Sequence, residues 1–248
     1  RKARQAGCAA VGVVDSADPY MIGYYVDRIA RAGLVGFIFQ SSGPLVHPHG
    51  GSEAVMGTNP LAIAIPTAGD DPIVLDMATS ALSHSRVRQA RYHEDLLPEG
   101  SGFDAEGRPT REAARIEVGA IAPLGGHKGF GLSLAVGLLC GPLVGAAVGK
   151  GLAGWLGQGG PTGPMGQLLL AIDPSAFGDA TLFRKRVSAY LAEIKGSRKA
   201  PGSAEIRIPG ERSAAARERS LEDGVPILEA CWRNTEKLAA ELGVAMPA

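Results

Sequence analysis

Cysteine is scarce: three in 248 residues, at Cys8, Cys140 and Cys231. They form no CxxC pair, and an odd count closes no disulfide framework, so a reducing compartment is expected. Neither sign of charge is in excess, since 25 basic and 25 acidic side chains cancel. That balance removes the non-specific attraction on which nucleic-acid binders usually depend. The common chemical signatures are absent as well. No GxGxxG stands between an early strand and a helix, and there is no GxxxxGK[ST], GxSxG or HExxH. His47 and His49 are two residues apart, which is not the separation that stacks ligands on a helix, so no metal site is expected. No apolar h-region follows the basic opening "RKAR", which reads as a solvated terminus rather than a leader. The chain opens on arginine in a helical stretch, from which a segment upstream is expected.

One long hydrophobic run is present. After Lys128 no charged side chain occurs until Lys150. Gly141-Pro142 interrupts it, because proline removes a backbone donor and disfavours helix in the residue before it. The remaining residues 129–140 suit a buried core helix better than a membrane span. Cys140 there, and Cys231 in a later apolar pattern, read as small core residues.

With 45% hydrophobic residues the chain has material for one sizeable domain or two intimate lobes. Residues 10–14 and 34–39 read as strands flanking a helix over 21–32, and 61–65 and 72–75 as two further strands. Residues 81–92 read as helix, with His84 and His93 on its surface, and "LLPEGSGFDAEGRPT" as an irregular exposed excursion. A flexible Gly-rich loop is expected over 149–166, a strand over 167–172, and a helix ending at Gly196. A short strand over 205–208, a polar helix after "PGER", and a last helix opened by Pro226 complete the pattern. Strands and helices mix without strict alternation, which favours an α+β fold.

Three polar clusters sit at strand or helix ends. "GTNP" (57–60) places a hydroxyl and an amide before an apolar strand; the bland alternative is a capped turn. "DMATS" (76–80) joins a strand to a helix, where Thr79 and Ser80 serve as N-caps or leave amides and hydroxyls for a phosphate or ribose. "GGHKG" (125–129) joins close backbone approach to a switchable donor, His127, and a fixed cation, Lys128, suiting a phosphate or carboxylate. A surface turn with a snorkelling lysine is the alternative.

Taken in order, "GTNPLAIAIPT", "PIVLDMATS", "LLPEGSGFDAEGRPT", "LGGHKGFGLSLAVGLLCG", "GQLLLAIDPSAFG" and "IRIPGER" resemble the type-2 malate/L-lactate dehydrogenases. Relatives of that family act as sulfolactate and ureidoglycolate dehydrogenases and as cyclic ketimine reductases. The resemblance runs from about residue 10 to residue 240. It implies a non-Rossmann α+β fold, with a largely antiparallel or mixed sheet flanked by helices, in an intertwined homodimer. It implies a single NAD(P)-binding oxidoreductase domain over 1–248, with a central sheet region over 10–172, a C-terminal helical region over 173–248, and no N-terminal helical segment of the family's kind. The implied reaction moves hydride between NAD or NADP and a small 2-hydroxy acid or cyclic imino acid, in the cytoplasm, with neither nucleic acid nor membrane as partner.

By the same resemblance Ser42, Asp76, Met77, Ala78, His127, Lys128, Gly210, Glu211 and Arg212 would bind the cofactor, and Thr58 and Asn59 the substrate. Lys128 and Arg212 suit phosphate, and Asp76 suits a ribose hydroxyl. Asp18 stands where the family's first strand leads to a histidine, and with His127 it is a candidate catalytic group. Two departures follow. This chain contains no Ser-His-Gly, the segment whose histidine is thought to donate the proton, and Arg86 stands where ketimine reductases carry an assisting acid. An alkoxide needs a proton from a group titrating near neutrality, a poor task for an ordinary carboxyl. The alternative is therefore a nucleotide-binding homologue without turnover.

Overall fold

The computed structural model describes residues 1–16, 18–157 and 160–246 and divides into two compact units, Arg1–Gly210 and Glu211–Ala248. The first unit begins with a short helix, α1 (Lys2–Ala6), then β1 (Cys8–Ser16), α2 (Gly23–Arg31), β2 (Val35–Gln40), β3 (Leu61–Ile65) and β4 (Ile73–Met77). It continues through α3 (His84–His93), β5 (Gly102–Phe103), β6 (Pro109–Thr110), α4 (Ala113–Val118), β7 (Ala120–Ile121), α5 (His127–Cys140), β8 (Met165–Ile172) and α6 (Ala180–Gly196). The second unit holds α7 (Glu211–Asp223) and α8 (Glu229–Leu242).

Five strands form one sheet in the order β1-β8-β2-β3-β4, and every neighbouring pair is antiparallel. This mixed α+β architecture, antiparallel sheets with helices against them, is the class expected from the sequence. Side chains alternate across the pleat, so each strand feeds both faces. On one face α2 lays Ile22, Val26 and Ala30 against Ile38, Ala62 and Ala64. On the other, Val136 and Cys140 of α5 pack with Leu168, beside Phe39 and Leu170. The end of α5 rides so close that a β-carbon on Gly166 would stand 1.8 Å from the Cys140 carbonyl oxygen. Each fully buried aliphatic side chain contributes about 1.5–3 kcal/mol, so the two layers fix both helices on the sheet.

A third apolar cluster gathers Leu45, Val46, Val87, Ala90, Leu97, Ala113, Ile116 and Ile121, with β5, β6 and β7 paired as a small antiparallel sheet beside it. This corrects the reading of residues 96–110 as an exposed excursion. Leu97 is fully buried, and Asp104 is buried too, accepting hydrogen bonds from the backbone of Glu106 and Arg108 and from the Arg108 side chain. Alternation was invisible there because the strands are two residues long.

Other expectations are corrected in detail. The run over 149–166 opens with a 3-10 helix, Gly149–Leu156, whose Leu152 is fully buried; residues 158 and 159 of that run lie outside the described residues. Residues 205–208 form no strand, although the Val74 N–H donates to the Pro209 carbonyl at 3.1 Å, so the chain runs beside β4 just after them. Cys231 is exposed, not core. Burial lifts the Cys140 thiol to about 12, an inert core sulfur. The α5 helix is buried on one stripe only: Gly129, Ser133, Val136, Gly137 and Cys140 face in, while Leu132, Leu134 and Leu138 face out. The window from His127 to Val144 is apolar and long enough to cross a membrane by composition. Its α-helical part ends at Cys140, before Pro142, giving roughly 21 Å of rise against a hydrocarbon core of about 30 Å.

Leu97→Ala should lower stability by about 2–5 kcal/mol, whereas Leu96→Ala, at an exposed neighbour, should change it by less than about 0.5 kcal/mol. Urea midpoints of the two variants check this; equal midpoints would return the segment to the surface.

Candidate functional site

The antiparallel register decides where the motifs meet. Ser16 pairs with Met165, Gln40 with Gln167, Phe39 with Leu61, and Leu61 with Met77. The ends of β1, β2 and β4 and the beginnings of β3 and β8 therefore lie at the same end of the sheet. Residues 40–42, 57–60 and 76–80 converge there from distant stretches of sequence.

Backbone hydrogen bonds then join the loops. The Thr79 N–H donates to the Thr58 carbonyl at 2.9 Å, and the Leu124 N–H donates to the Thr79 carbonyl at 3.0 Å. Ala81 N–H donates to the Ala122 carbonyl at 2.8 Å. These bonds attach "GTNP", "DMATS" and the turn before "GGHKG" to one another directly. Thr79 also sends its hydroxyl to the Thr58 carbonyl at 2.9 Å and the Asn59 carbonyl at 3.1 Å. Neither Thr79 nor Ser80 caps a helix: the Ser80 hydroxyl donates to the Leu82 carbonyl, and Ser83 caps α3 by accepting from Arg86 N–H. The amides and hydroxyls expected to be free at this point are consumed in joining loops.

Under that junction lies a buried polar knot. Asn59 accepts from Ser42 N–H at 3.1 Å and donates its side-chain amide to the Ser133 carbonyl at 2.9 Å and the Ser133 hydroxyl at 3.2 Å. The Ser133 hydroxyl reaches the Gly57 carbonyl at 3.3 Å, and the Ser42 and Thr58 hydroxyls share a bond of 3.1 Å. A β-carbon on Gly57 would meet Asn59 Oδ1 and the Ser42 carbonyl at 2.4 Å, so only glycine fits. Asn59 is buried with its amide spent inside the protein, whereas Thr58 is half-buried.

Asp76 stands one residue before the end of β4, on the α2 face. Its Oδ2 accepts from Gly23 N–H at 2.7 Å, so a carboxylate meets the first residue of α2. Burial pushes this carboxyl above its ordinary range, and the Gly23 bond partly opposes the shift. Gly210 lies against the same strand, its missing β-carbon 2.9 Å from Val74 N. Met77 and Ala78 are half-buried beside it. Asp18 is exposed and accepts from Tyr20 N–H at 2.9 Å and from the Gln40 side chain at 3.1 Å, which brings it to the same end of the sheet.

At the start of α5, Gly125 and Gly126 take left-handed φ values of 58° and 65°, and no side chain caps the helix. His127 and Lys128 are exposed there. His49, not singled out from the sequence, stands edge-on to His127 with ring centroids 5.9 Å apart. A cation and two imidazoles at an uncapped helix start suit an anion. Glu211 and Arg212 belong to the second unit, where they open α7.

Sequence reasoning missed Ser133, Gln40, Gln167 and His49. Ser133 is concealed inside an apolar helix. Gln40 and Gln167 are buried cross-strand partners, which only the register reveals. His47 is also buried, packed 4.5 Å from Phe103, with Nδ1 bonded to the Pro48 carbonyl and Nε2 without a partner. His84, expected on the surface, is half-buried, and burial and then Arg88 push its imidazole below the usual range; His93 is exposed. Among the described residues no group of three or more histidines, cysteines and acids is placed to hold a metal.

This sequence and this fold have counterparts. The family model described as malate/L-lactate dehydrogenase matches residues 1–236, and the chain belongs to that family. An L-sulfolactate dehydrogenase of Methanothermobacter thermautotrophicus is 35% identical over 243 residues, 98% of this chain and 69% of that protein. A Delta(1)-pyrroline-2-carboxylate/Delta(1)-piperideine-2-carboxylate reductase of Pseudomonas putida is 40% identical over 231 residues, 92% of this chain and 65% of that one. The solved malate dehydrogenase of Pyrococcus horikoshii OT3 superposes with a TM-score of 0.87 at 31% identity, covering 99% of this chain and 68% of that one. The chain thus spans about two thirds of the length of these relatives.

The raised Asp76 carboxyl carries a consequence for stability. A carboxyl with a higher pKa folded than unfolded contributes fully below the unfolded value, and that contribution is lost as pH rises through the folded one. Asp76→Asn keeps an oxygen for Gly23 and removes the charge. Its urea midpoint should exceed the wild type's at pH 7, and the gap should close below about pH 4. A lower midpoint at pH 7 would mean that the ionised carboxylate stabilises the fold.

Proposed function

We propose that this protein is an NAD(P)-dependent oxidoreductase moving hydride between a nicotinamide cofactor and a small 2-hydroxy acid or cyclic imino acid. The observation that carries the reading is the junction of "GTNP", "DMATS" and the start of α5 through Thr79. It joins the loops that bear hydroxyls, a carboxylate and a cationic helix end, and a dinucleotide and an acid together require that mixture. Malate, lactate, sulfolactate and cyclic imino acids are all of this chemical kind.

In this reading Lys128 and His127, with His49 beside them, take the phosphates, where a compact charge at a helix start is worth most. Asp76 has a second carboxylate oxygen for a ribose hydroxyl. Ser42, Met77, Ala78 and Gly210 line the cofactor, and Thr58 orients the acid with Asn59 behind it. Glu211 and Arg212 are assigned to the cofactor through the match of "PGER" to the family's C-terminal loop alone. The cofactor, when bound, supplies or accepts the hydride. The protein's share is to orient the acid, exclude water and supply the proton, for which Asp18 is the candidate within this chain once His127 is given to the phosphates. The fold would hold the dinucleotide without a Rossmann crossover, as one NAD(P)-binding domain. The outward Leu132, Leu134 and Leu138 of α5 support assembly as a homodimer, because an apolar face of that kind calls for a cover. A cytoplasmic enzyme with neither nucleic-acid nor membrane partner completes the reading.

Titration with NADH and with NADPH, followed by tryptophan fluorescence, together with turnover on a panel of 2-keto and cyclic imino acids, tests it. Saturable binding with turnover supports the reading. Binding without turnover favours the alternative, a nucleotide-binding homologue, and no binding overturns both. Lys128→Ala should weaken cofactor binding about 10- to 100-fold, the worth of a charge-assisted contact, and should flatten its dependence on salt.

A further inference from the structure

Asn59 carries an anomaly. It holds a left-handed backbone, φ 32°, immediately before Pro60, where the chain prefers extended conformations. Strain of this kind persists only where the surroundings over-determine it, and it gathers at working sites. Here the surroundings are named. Ser42 N–H holds Oδ1, Ser133 holds the amide nitrogen through two contacts, and the Thr79 hydroxyl holds the carbonyl. All the polar atoms of the Asn59 side chain are therefore used, none of them facing outward.

The partners are as informative as the strain. Ser42 and Thr58 are bonded hydroxyl to hydroxyl, so fixing Asn59 against Ser42 fixes the direction of the Thr58 side chain. Ser133 ties Asn59 and the Gly57 carbonyl to α5. Ser133 lies six positions after His127, roughly 9 Å along the helix axis. One rigid helix thus links the end that carries His127 and Lys128 with the peptide that carries Thr58.

We infer that Asn59 and Ser133 are positioning residues: a buried latch that sets the Thr58 hydroxyl for the acid substrate and keeps it in register with the anion-binding start of α5. This rests on the reading of the protein as a 2-hydroxy or imino acid oxidoreductase. Neither residue touches the substrate; each acts through Thr58. The latch separates two quantities that a general loss of structure would move together. Loosening it leaves Lys128 and His127 in place and reaches the cofactor only through Ser42, so the hold on the acid is lost far more than the hold on the cofactor.

Two variants make the test. Ser133→Ala removes the hydroxyl at a buried site. Asn59→Gly removes the amide but relieves the backbone, since glycine accepts the left-handed region, and so protects the fold. For each, the thermal midpoint, the NADPH and NADH dissociation constants by fluorescence, and kcat and KM for the acid that wild type turns over are measured. Oxamate, a 2-keto acid mimic, is titrated against cofactor-loaded protein alongside. The expected result is a cofactor dissociation constant raised no more than about threefold, through Ser42, with KM for the acid and the oxamate constant raised about tenfold or more in both variants. Ser133→Thr, which keeps the hydroxyl, should recover most of the loss if it folds with the wild-type midpoint. Unchanged KM in Asn59→Gly and Ser133→Ala, or equal losses of cofactor and acid binding, would overturn the latch and leave the functional reading standing. Wild type that binds cofactor but neither binds oxamate nor turns over any acid would overturn the functional reading and the latch with it.

Discussion

The structure depends on one short chain of hydrogen bonds at the end of the large sheet: Thr58 carbonyl, Thr79 amide, Thr79 carbonyl, Leu124 amide. Where the strand ladder runs out, backbone groups lose their regular partners and must find others or face water. Here three loops satisfy one another. Because the partners are backbone atoms, the loops cannot shift independently, and groups borne on "GTNP", "DMATS" and "GGHKG" keep fixed relative positions. The side-chain knot around Asn59 adds a second layer below, itself almost fully satisfied, which is the condition under which buried polar networks rigidify a protein.

The antiparallel order explains why these loops meet at this end. A doubly wound sheet brings ligands to the carboxyl ends of parallel strands. Here the strands alternate in direction, so carboxyl ends of β1, β2 and β4 stand among the amino ends of β3 and β8. Helices on opposite faces, α2 and α5, both begin near this end. The start of α2 is met by the Asp76 carboxylate, while the start of α5 is left uncapped beside Lys128. The positive end of one helix is thus spent on holding a side chain. The other has no side-chain cap, and the Leu124 carbonyl takes its Gly129 N–H at 2.8 Å.

Much of this was legible in the amino-acid sequence, for identifiable reasons. Helices α2 and α6 were visible because their apolar residues repeat at helical spacing, and β3 and β8 because short apolar runs are bounded by turn residues. The three polar clusters were visible as breaks in apolar pattern. What was hidden is what only register or topology supplies. Thr79 reads as a helix cap in one dimension and proves to be a splice between loops. Ser133 reads as a stray hydroxyl in an apolar helix and proves to anchor Asn59. Leu97 lies among loop-forming residues and is core, because two-residue strands carry no periodicity. Cys231 shows the converse, an apolar-looking helix position left exposed.

The central claim is that these joined strand ends form one cofactor-binding surface. Amide hydrogen exchange with and without saturating NADPH or NADH tests it most directly. The account expects added protection in residues 40–42, 57–60, 76–80 and 123–130 together, with the far end of the sheet, around Val35 and Ile172, unchanged. Saturable binding that protects another surface while leaving those four stretches as they were would contradict it.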